Sequence, residues 1–168
     1  MGAPLGPTQV DLDIAIFTAG FHYRAKLPTL GVFMTFLNDD QRPNLILREV
    51  EGIGVNASNP AAHLKTNELF VSKRACQAVA LPTPPSGIQL LPRTEPLALY
   101  TSHYCIIGKF HMGPDAQVTD FSEAYLSMFI PATDARIYPL LDARPGLVDA
   151  APYIFVHKSQ VIAYHIFQ

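Results

Sequence analysis

The sequence predicts an all-β protein made of two tandem small β-barrels with short helical insertions. Fifteen prolines and ten glycines among 168 residues are too many for a helical bundle and suit short strands joined by turns. Hydrophobic residues make up 49% of the chain and charged residues 15%, which provides enough apolar side chains for a core. The third observation behind this prediction is that the pattern of the first half recurs in the second half.

An internal repeat emerges when the chain is compared with itself. A shift of 85 residues places Leu69–Lys73 on Ile154–Lys158 and Phe21–Lys26 on Ile106–His111. Identities are few, but the apolar pattern is kept along the aligned stretches. We therefore predict an internal duplication.

A proline-rich segment separates the two repeats. Residues 82–87 read Pro-Thr-Pro-Pro-Ser-Gly, and Pro92 and Pro96 follow. Prolines disfavour a central strand and favour an extended connector. We predict a first barrel over residues 8–82, a linker over 83–96 and a second barrel over 97–168.

Each strand of the first repeat is predicted from local patterning. Alternation over 12–16 and over 21–27, on either side of Ala19-Gly20, indicates a hairpin that ends at Pro28. Residues 30–37 are apolar with irregular spacing and suit a short helical turn. Three more strands are predicted at 44–50, 68–74 and 75–81.

The second repeat follows the same plan. Its strands are predicted at residues 97–105, 106–112, 128–138, 153–158 and 160–167, with a helical turn at 121–126.

Bulk properties reduce the number of function classes. The net charge of −2 argues against strong non-specific binding of nucleic acid. No apolar run approaches the roughly 18 residues that span a bilayer, and the start of the chain lacks a signal-peptide pattern, so we expect a cytoplasmic protein without a membrane partner. Cys76 and Cys105 lie outside zinc-type spacing and are expected to be buried free thiols.

The closing strands carry a family resemblance. An apolar strand, a short basic turn and a second apolar strand occur over Leu69–Val79 and again over Ile154–Ala163. Together with the strand–glycine turn–strand of Ile14–Phe21, they resemble the Sm-like proteins, which include the bacterial RNA chaperone Hfq. The resemblance implies small barrels of the Sm-like or SH3-like type, and RNA binding. Insertions at 30–42 and 116–127 replace the segment that lines the RNA pocket in that family.

A second resemblance concerns the later part of the chain. Asp120–Glu123, Phe129–Ala135 and Val156–Lys158 are similar to a pattern in a family of uncharacterised bacterial domains. This resemblance implies no reaction.

Basic side chains recur at the offset of 85 residues and define a candidate site for nucleic acid or another anion. Such a stripe could bind phosphates, or it could be an ordinary solvated sheet face. The candidates are Arg24, Lys26, Lys73, Arg74, Lys109, His111 and Lys158.

The first insertion is unusually apolar and defines a candidate protein interface. It either plugs its own barrel or forms a protein-binding patch. The candidates are Leu30, Val32, Phe33, Phe36 and Leu37. The apolar strand over residues 161–167 also invites pairing with another barrel or subunit.

Catalytic signatures are absent from the sequence, which contains no GxSxG, P-loop or GxGxxG motif. His103 and His111 are predicted on adjoining hairpin strands and, with Asp115, form the best candidate for a ligand or metal site. No catalytic residue, metal site or cofactor is predicted.

The favoured interpretation is a non-catalytic protein-binding or assembly module that acts through its edge strands and its apolar insertion. Its partner would be another protein or a second copy of the chain. The alternatives are an Sm-like RNA-binding protein and a small ligand-binding or enzymatic barrel.

Overall fold

The chain is all-β, as predicted. The computed structural model describes residues 6, 8–56, 63–140 and 149–168. Its strands are β1 (Gln9–Phe17), β2 (Phe21–Leu30), β3 (Asn44–Gly54), β4 (His63–Ser72), β5 (Ala78–Leu81), β6 (Arg93–Tyr100), β7 (Tyr104–Met112), β8 (Phe129–Pro139), β9 (Ala150–His157) and β10 (Ala163–Ile166). Its helices are α1 (Phe33–Asn38) and single 3₁₀ turns at Lys73–Ala75, Val118–Asp120 and Lys158–Gln160.

The ten described strands form one continuous antiparallel sheet. The strand order is β10-β6-β7-β8-β9-β5-β1-β2-β3-β4. Each half therefore contributes five neighbouring strands, and its last strand lies beside its first. The two halves meet where β5 pairs with β9, a contact that we call the central joint.

The two halves share backbone features, but not at a constant offset. In the first hairpin of each half, the threonine N–H donates to the carbonyl oxygen three residues later: Thr18 to Phe21, and Thr101 to Tyr104. The offset here is 83 residues. Since the later strands keep an offset of 85, the predicted alignment of β2 with β7 was wrong by two residues. The longer connection between β7 and β8 absorbs the difference.

A β-bulge bends the third strand of each half. Glu49 in β3 and Asp134 in β8 have φ angles of +49° and +51°. The register of the neighbouring strand shifts opposite each of them, between Arg24 and Lys26 and between Ile107 and Lys109. Lys26 is therefore the counterpart of Lys109, and not of His111 as the sequence predicted.

Prolines lie inside strands where the sequence predicted breaks. Pro28 was predicted to end β2, yet it pairs with Asp11 of β1. The pairing of β2 with β3 stops at Lys26, so this part of β2 needs no N–H on that side. Pro96, placed in the predicted linker, pairs with Lys109 inside β6, beyond the stretch that β10 covers.

Each half completes the core of the other. Phe129 and Phe155 of the second half are fully buried among the apolar residues of the first half. In exchange, Ala15 and Phe17 of β1 are buried in the core of the second half. Burial of apolar surface at the central joint therefore stabilises both halves.

The apolar insertion is a plug over part of its length. The helix α1 confirms the predicted helical turn, and its side chains Phe33 and Leu37 are fully buried. These two residues are therefore unavailable as the protein interface that was one of the two alternatives. Leu30 and Val32 are exposed, and Phe36 is half-buried beneath Arg42.

Truncation of Phe33 tests the plug. Because Phe33 is fully buried and packs on Phe155, we expect Phe33→Ala to lower the free energy of unfolding by about 3 kcal/mol or more. The exposed Leu30 is the control, and Leu30→Ala is expected to change the free energy of unfolding by about 0.5 kcal/mol or less. Chemical denaturation of both variants measures the difference, and equal effects would contradict the plug.

Candidate functional site

The central joint is an antiparallel strand pair with a defined register. Ala78 faces Val156, Val79 faces Phe155, Ala80 faces Ile154 and Leu81 faces Tyr153. The His157 N–H donates to the carbonyl oxygen of Gln77 at 3.0 Å. Since N–H directions alternate along a strand, the N–H groups of Phe155 and Tyr153 also point towards β5.

An aromatic side chain anchors this joint. Phe155 is 0% exposed, and its ring packs edge-on against Phe33 with ring centroids 5.0 Å apart. The amide of Phe129 donates to Oδ1 of Asn38 at 2.9 Å, which ties β8 to the end of α1. The second half is thereby held against the first by apolar packing and by directed hydrogen bonds.

A buried hydrogen-bonded chain crosses the joint. Tyr104 Oη donates to the carbonyl oxygen of Thr18 at 2.7 Å, and His22 Nε2 lies 2.7 Å from Tyr104 Oη. Because the tyrosine proton is already used, His22 acts as the donor from Nε2 and is neutral. Burial lowers the pKa of His22 to about 4 and raises the pKa of Tyr104.

Gln77 provides a second polar link. Its Oε1 accepts from Thr101 Oγ1 at 2.6 Å, and its Nε2 donates to Ser102 Oγ at 3.1 Å. Nε2 also lies 2.9 Å from Nδ1 of His103. These contacts satisfy an amide side chain that is almost entirely buried.

The two strands at the ends of the sheet, β4 and β10, correspond to the two strands that form the central joint. β4 occupies in the first half the place that β9 occupies in the second, and β10 corresponds in the same way to β5. Among the described strands, β4 and β10 are the two that pair on one side. The molecule therefore presents both strand types of its own joint, one at each edge.

Exposed apolar side chains mark these two edges. Phe70 of β4 is 62% exposed, although its counterpart Phe155 is fully buried. Ile162, just before β10, is 70% exposed, whereas its counterpart Gln77 is buried. Exposed apolar residues clustered at unpaired edges are typical of interaction surfaces.

A groove of about 510 Å³ lies beside Phe70, and we call it the edge groove. Its walls are partly apolar, and Arg42 and Arg48 add positive charge. The apolar lining residues are Pro28, Phe36, Pro43, Ile46 and Phe70. The counterparts of Phe36, Ile46 and Phe70 are Phe121, Pro131 and Phe155 in the second half, and all three are buried. A feature that is covered in one half is thus open in the other.

Two of the predicted anion ligands are structural. Lys73 is 1% exposed, and its Nζ donates to the carbonyl oxygens of Phe36 and Asp39 at 3.0 and 2.8 Å. Burial lowers the pKa of Lys73, while the nearby Asp39 opposes the shift. Nζ of Lys158 donates in the same way to the Tyr125 carbonyl oxygen at 2.6 Å. Lys73 is therefore closed to an anion, contrary to the prediction, and the half-buried Lys158 is bonded to the insertion of its own half.

The other predicted anion ligands are spread over the surface. Lys26 pairs with Asp13 at 3.6 Å, and Lys109 pairs with Asp134 at 2.8 Å. Arg74 is exposed at the turn after β4. The two ion pairs reduce the positive charge that either face presents to a phosphate.

A second cavity adjoins the central joint. It measures about 460 Å³ and is lined by Arg24, Asp13 and small side chains such as Ala80 and Ala151. Opposite charges at one cavity suit neither an anion nor a cation alone. Of the other predicted basic residues, Lys26 lies nearby, because it pairs with the same Asp13.

The predicted histidine site is not assembled. His103 and His111 lie at opposite ends of β7, so they do not meet across a hairpin as predicted. His111 is bonded to the Leu91 carbonyl oxygen and to Thr133 Oγ1. Within the described residues, no group of three His, Cys, Asp or Glu side chains is placed to hold a metal ion. Cys76 and Cys105 are buried free thiols, as predicted, and burial raises the pKa of Cys76 to about 12.

Comparisons with protein-family models, with curated proteins and with solved structures found no match. In the described part of the chain, no helix has the length and apolar character needed to cross a membrane.

Sequence reasoning missed the edge groove and the exposure of Phe70. Phe70 belongs to an apolar stretch that predicts a buried strand, and its periodicity is the same as that of Phe155. The difference arises from strand order, because β9 has a neighbour on its far side and β4 ends the sheet. The apolar sequence at the end of the chain was the one available signal for an edge.

Protonation of His22 tests the buried chain across the joint. The unfolded chain, with a histidine pKa of 6.5, takes up the proton before the folded protein, whose His22 has a pKa of about 4. The free energy of unfolding is therefore unaffected above pH 6.5 and falls between pH 6.5 and about 4. Each unit of difference between the two pKa values corresponds to about 1.4 kcal/mol. After a reduction for solvent screening, we expect the free energy of unfolding to fall by about 2 kcal/mol.

The control for this pH dependence is His22→Gln, which retains a donor for Tyr104 Oη. Denaturation curves measured from pH 7 to pH 4 should be flatter for the variant. Some slope will remain, because burial also lowers the pKa of His157. An unchanged slope in His22→Gln would contradict the assignment.

Replacement of Lys73 tests its structural role. Lys73→Met removes two charge-assisted hydrogen bonds and leaves two carbonyl oxygens without this donor, so we expect a loss of about 2 kcal/mol in the free energy of unfolding. Lys65 of β4 is exposed, and Lys65→Met is the matched control, with an expected change of about 0.5 kcal/mol or less. Equal losses in urea denaturation would be evidence against this role.

Proposed function

We propose that the protein is a non-catalytic assembly module that binds protein partners by adding strands to the two ends of its sheet. The observation that carries the proposal is the central joint. There, one five-stranded half recognises the other by strand pairing and by insertion of a phenylalanine. The same two kinds of strand remain at the edges.

The composition of the edges supports this function. Strand addition needs a row of main-chain N–H and C=O groups with apolar side chains beside it. Around β10, Ile162, Ile166 and Phe167 are exposed, and around β4 Ile46 and Phe70 are exposed. Edge strands that avoid association usually carry charges or prolines. Residues 161–167 contain no proline and no Asp, Glu, Lys or Arg, whereas β4 carries the exposed Lys65 and Glu68 ahead of Phe70.

The two halves are proposed to be small barrels that arose by duplication. Their element order, their paired bulges at Glu49 and Asp134, and the lysines Lys73 and Lys158, each donating to main-chain carbonyl oxygens of its own half, support this origin. Under this proposal, a barrel that once recognised a separate copy now recognises its fused neighbour at the central joint.

The RNA-binding alternative receives less support. Lys73 and Lys158 are bonded to main-chain carbonyl oxygens, and Lys26 and Lys109 are paired with carboxylates. The same alternative predicts binding that falls steeply with salt. The net charge of −2 also favours a protein partner.

Removal of one outward N–H at each edge tests the proposed function. By the alternation at the central joint, the N–H groups of Glu68 in β4 and Ile166 in β10 point away from the sheet. We expect Glu68→Pro and Ile166→Pro to reduce the mass of the assembly that contains this chain. The mass is measured by size-exclusion chromatography with light scattering, on the purified protein and on an extract of cells of the source organism.

The matched control is Glu68→Ala, which removes the same side chain but keeps the N–H, and its assembly should persist. Circular dichroism must show the same fold in all variants. A wild-type mass of one chain, 18.5 kDa, in both the purified sample and the extract would overturn the proposed function.

A further inference from the structure

We propose that the partner is a second copy of this chain, whose β10 pairs with β4 of the first copy in the register of the central joint. This inference rests on the proposed function and specifies its partner. A single molecule carries both surfaces that such a contact needs, because β4 corresponds to β9 and β10 corresponds to β5. The contact is therefore head to tail.

The register follows from the central joint. There, Val79 faces Phe155 and Leu81 faces Tyr153. The same pairing between copies places Tyr164 opposite Phe70 and Ile166 opposite Glu68. The neighbouring pairs are Ala163 with Val71 and His165 with Leu69.

The hydrogen-bonding groups needed for this register point the right way. Ile162 N–H donates to the Tyr100 carbonyl oxygen at 2.8 Å, just as Gln77 N–H donates to that of Phe17. Phe167 N–H donates to the Pro96 carbonyl oxygen at 2.8 Å. Ile162 precedes β10, so the directions within the strand are counted back from Phe167, which continues the register of β10 with β6. Alternation from Phe167 points the N–H groups of Tyr164 and Ile166 outwards, towards the position that β4 of the next copy would occupy.

The exposed side chains fit this arrangement better than a polar partner. At the central joint the counterparts of Phe70 and Ile166 are Phe155 and Leu81, and both are buried. Docking of a second copy would cover Phe70 and Ile166 in the same way, and would close the edge groove. Burial of these apolar side chains supplies the driving force for association.

The contact between copies differs from the central joint in its chemistry. Gln77, with its hydrogen bonds to Thr101 and Ser102, is replaced by Ile162, which is 70% exposed in the single chain. On the facing copy, Phe21 occupies the position that Tyr104 occupies at the central joint, because each is the third residue after the hairpin threonine. A polar network inside the chain thus becomes an apolar contact between chains.

A head-to-tail contact also determines the type of assembly. Such an interface is heterologous, because different surfaces of the two copies meet. It produces a closed ring if the rotation between copies closes, and a filament if it does not. The smallest such assembly, an open dimer, keeps one free edge at each end.

Disulfide trapping between two separately prepared variants tests the register. Residues directly opposite in an antiparallel pair have Cα atoms about 4.5–5.5 Å apart, which is within the range of a disulfide. We expect Glu68→Cys mixed with Ile166→Cys to form a covalent dimer under mild oxidation. The native cysteines, Cys76 and Cys105, are buried and should contribute little background.

The register control is Glu68→Cys mixed with His165→Cys. These residues would lie one position out of register and on opposite faces of the sheet, so no dimer is expected. Each variant alone measures the background. A dimer from the control mixture, or none from the test mixture, would overturn the proposed contact.

Light scattering on the purified protein provides the second measurement. Wild type is expected at a multiple of 18.5 kDa or as a filament, and Phe70→Lys should weaken association at least about tenfold. Leu126→Lys is the matched control, since Leu126 is fully exposed and lies outside both edges. Its association should equal that of wild type.

These results separate this inference from the proposed function. A purified protein of one-chain mass that becomes larger in the cell extract would overturn self-assembly and leave strand addition to another protein standing. One-chain mass in both samples would overturn both proposals. Association that persists in Phe70→Lys would refute the contact proposed here.

Discussion

The pairing of β5 with β9 is the contact on which the rest of the molecule depends. Without it, Phe129 and Phe155 would leave the core of the first half, and Ala15 and Phe17 would leave the core of the second. The strand pair also positions the chain from His22 through Tyr104 to Thr18, whose groups are satisfied by partners from both halves. Main-chain bonds fix the register, and Phe129 and Phe155 add apolar packing against the first half.

The sequence patterns predicted the elements better than their arrangement. Alternation and turn residues correctly indicated an all-β chain, the hairpin of β1 and β2, and a helical turn within residues 30–37. These features depend on residues close together in the chain. The sharing of cores depends on strand order, which local periodicity does not contain.

The candidate site was predicted in part, through the apolar closing strand. The other edge, at β4, was missed because an apolar strand has the same sequence pattern at the edge of a sheet as in its centre. The position of Lys73 was mispredicted for a related reason. A lysine after an apolar strand suggests a surface turn, but here its Nζ is directed inwards by the carbonyl oxygens of Phe36 and Asp39. A long charged side chain can be buried where such acceptors converge, and sequence alone does not show their convergence.

The exchange of Phe129 and Phe155 into the core of the first half has a consequence for synthesis of the chain. The ribosome releases β1 to β5 well before it has made β9. During that interval the first half lacks two of its largest buried side chains, and its apolar surface around Phe33 stays open. Contacts between residues so far apart in the chain also form slowly. Until the last strands emerge, the nascent first half therefore exposes apolar surface of the kind that makes folding intermediates prone to aggregate.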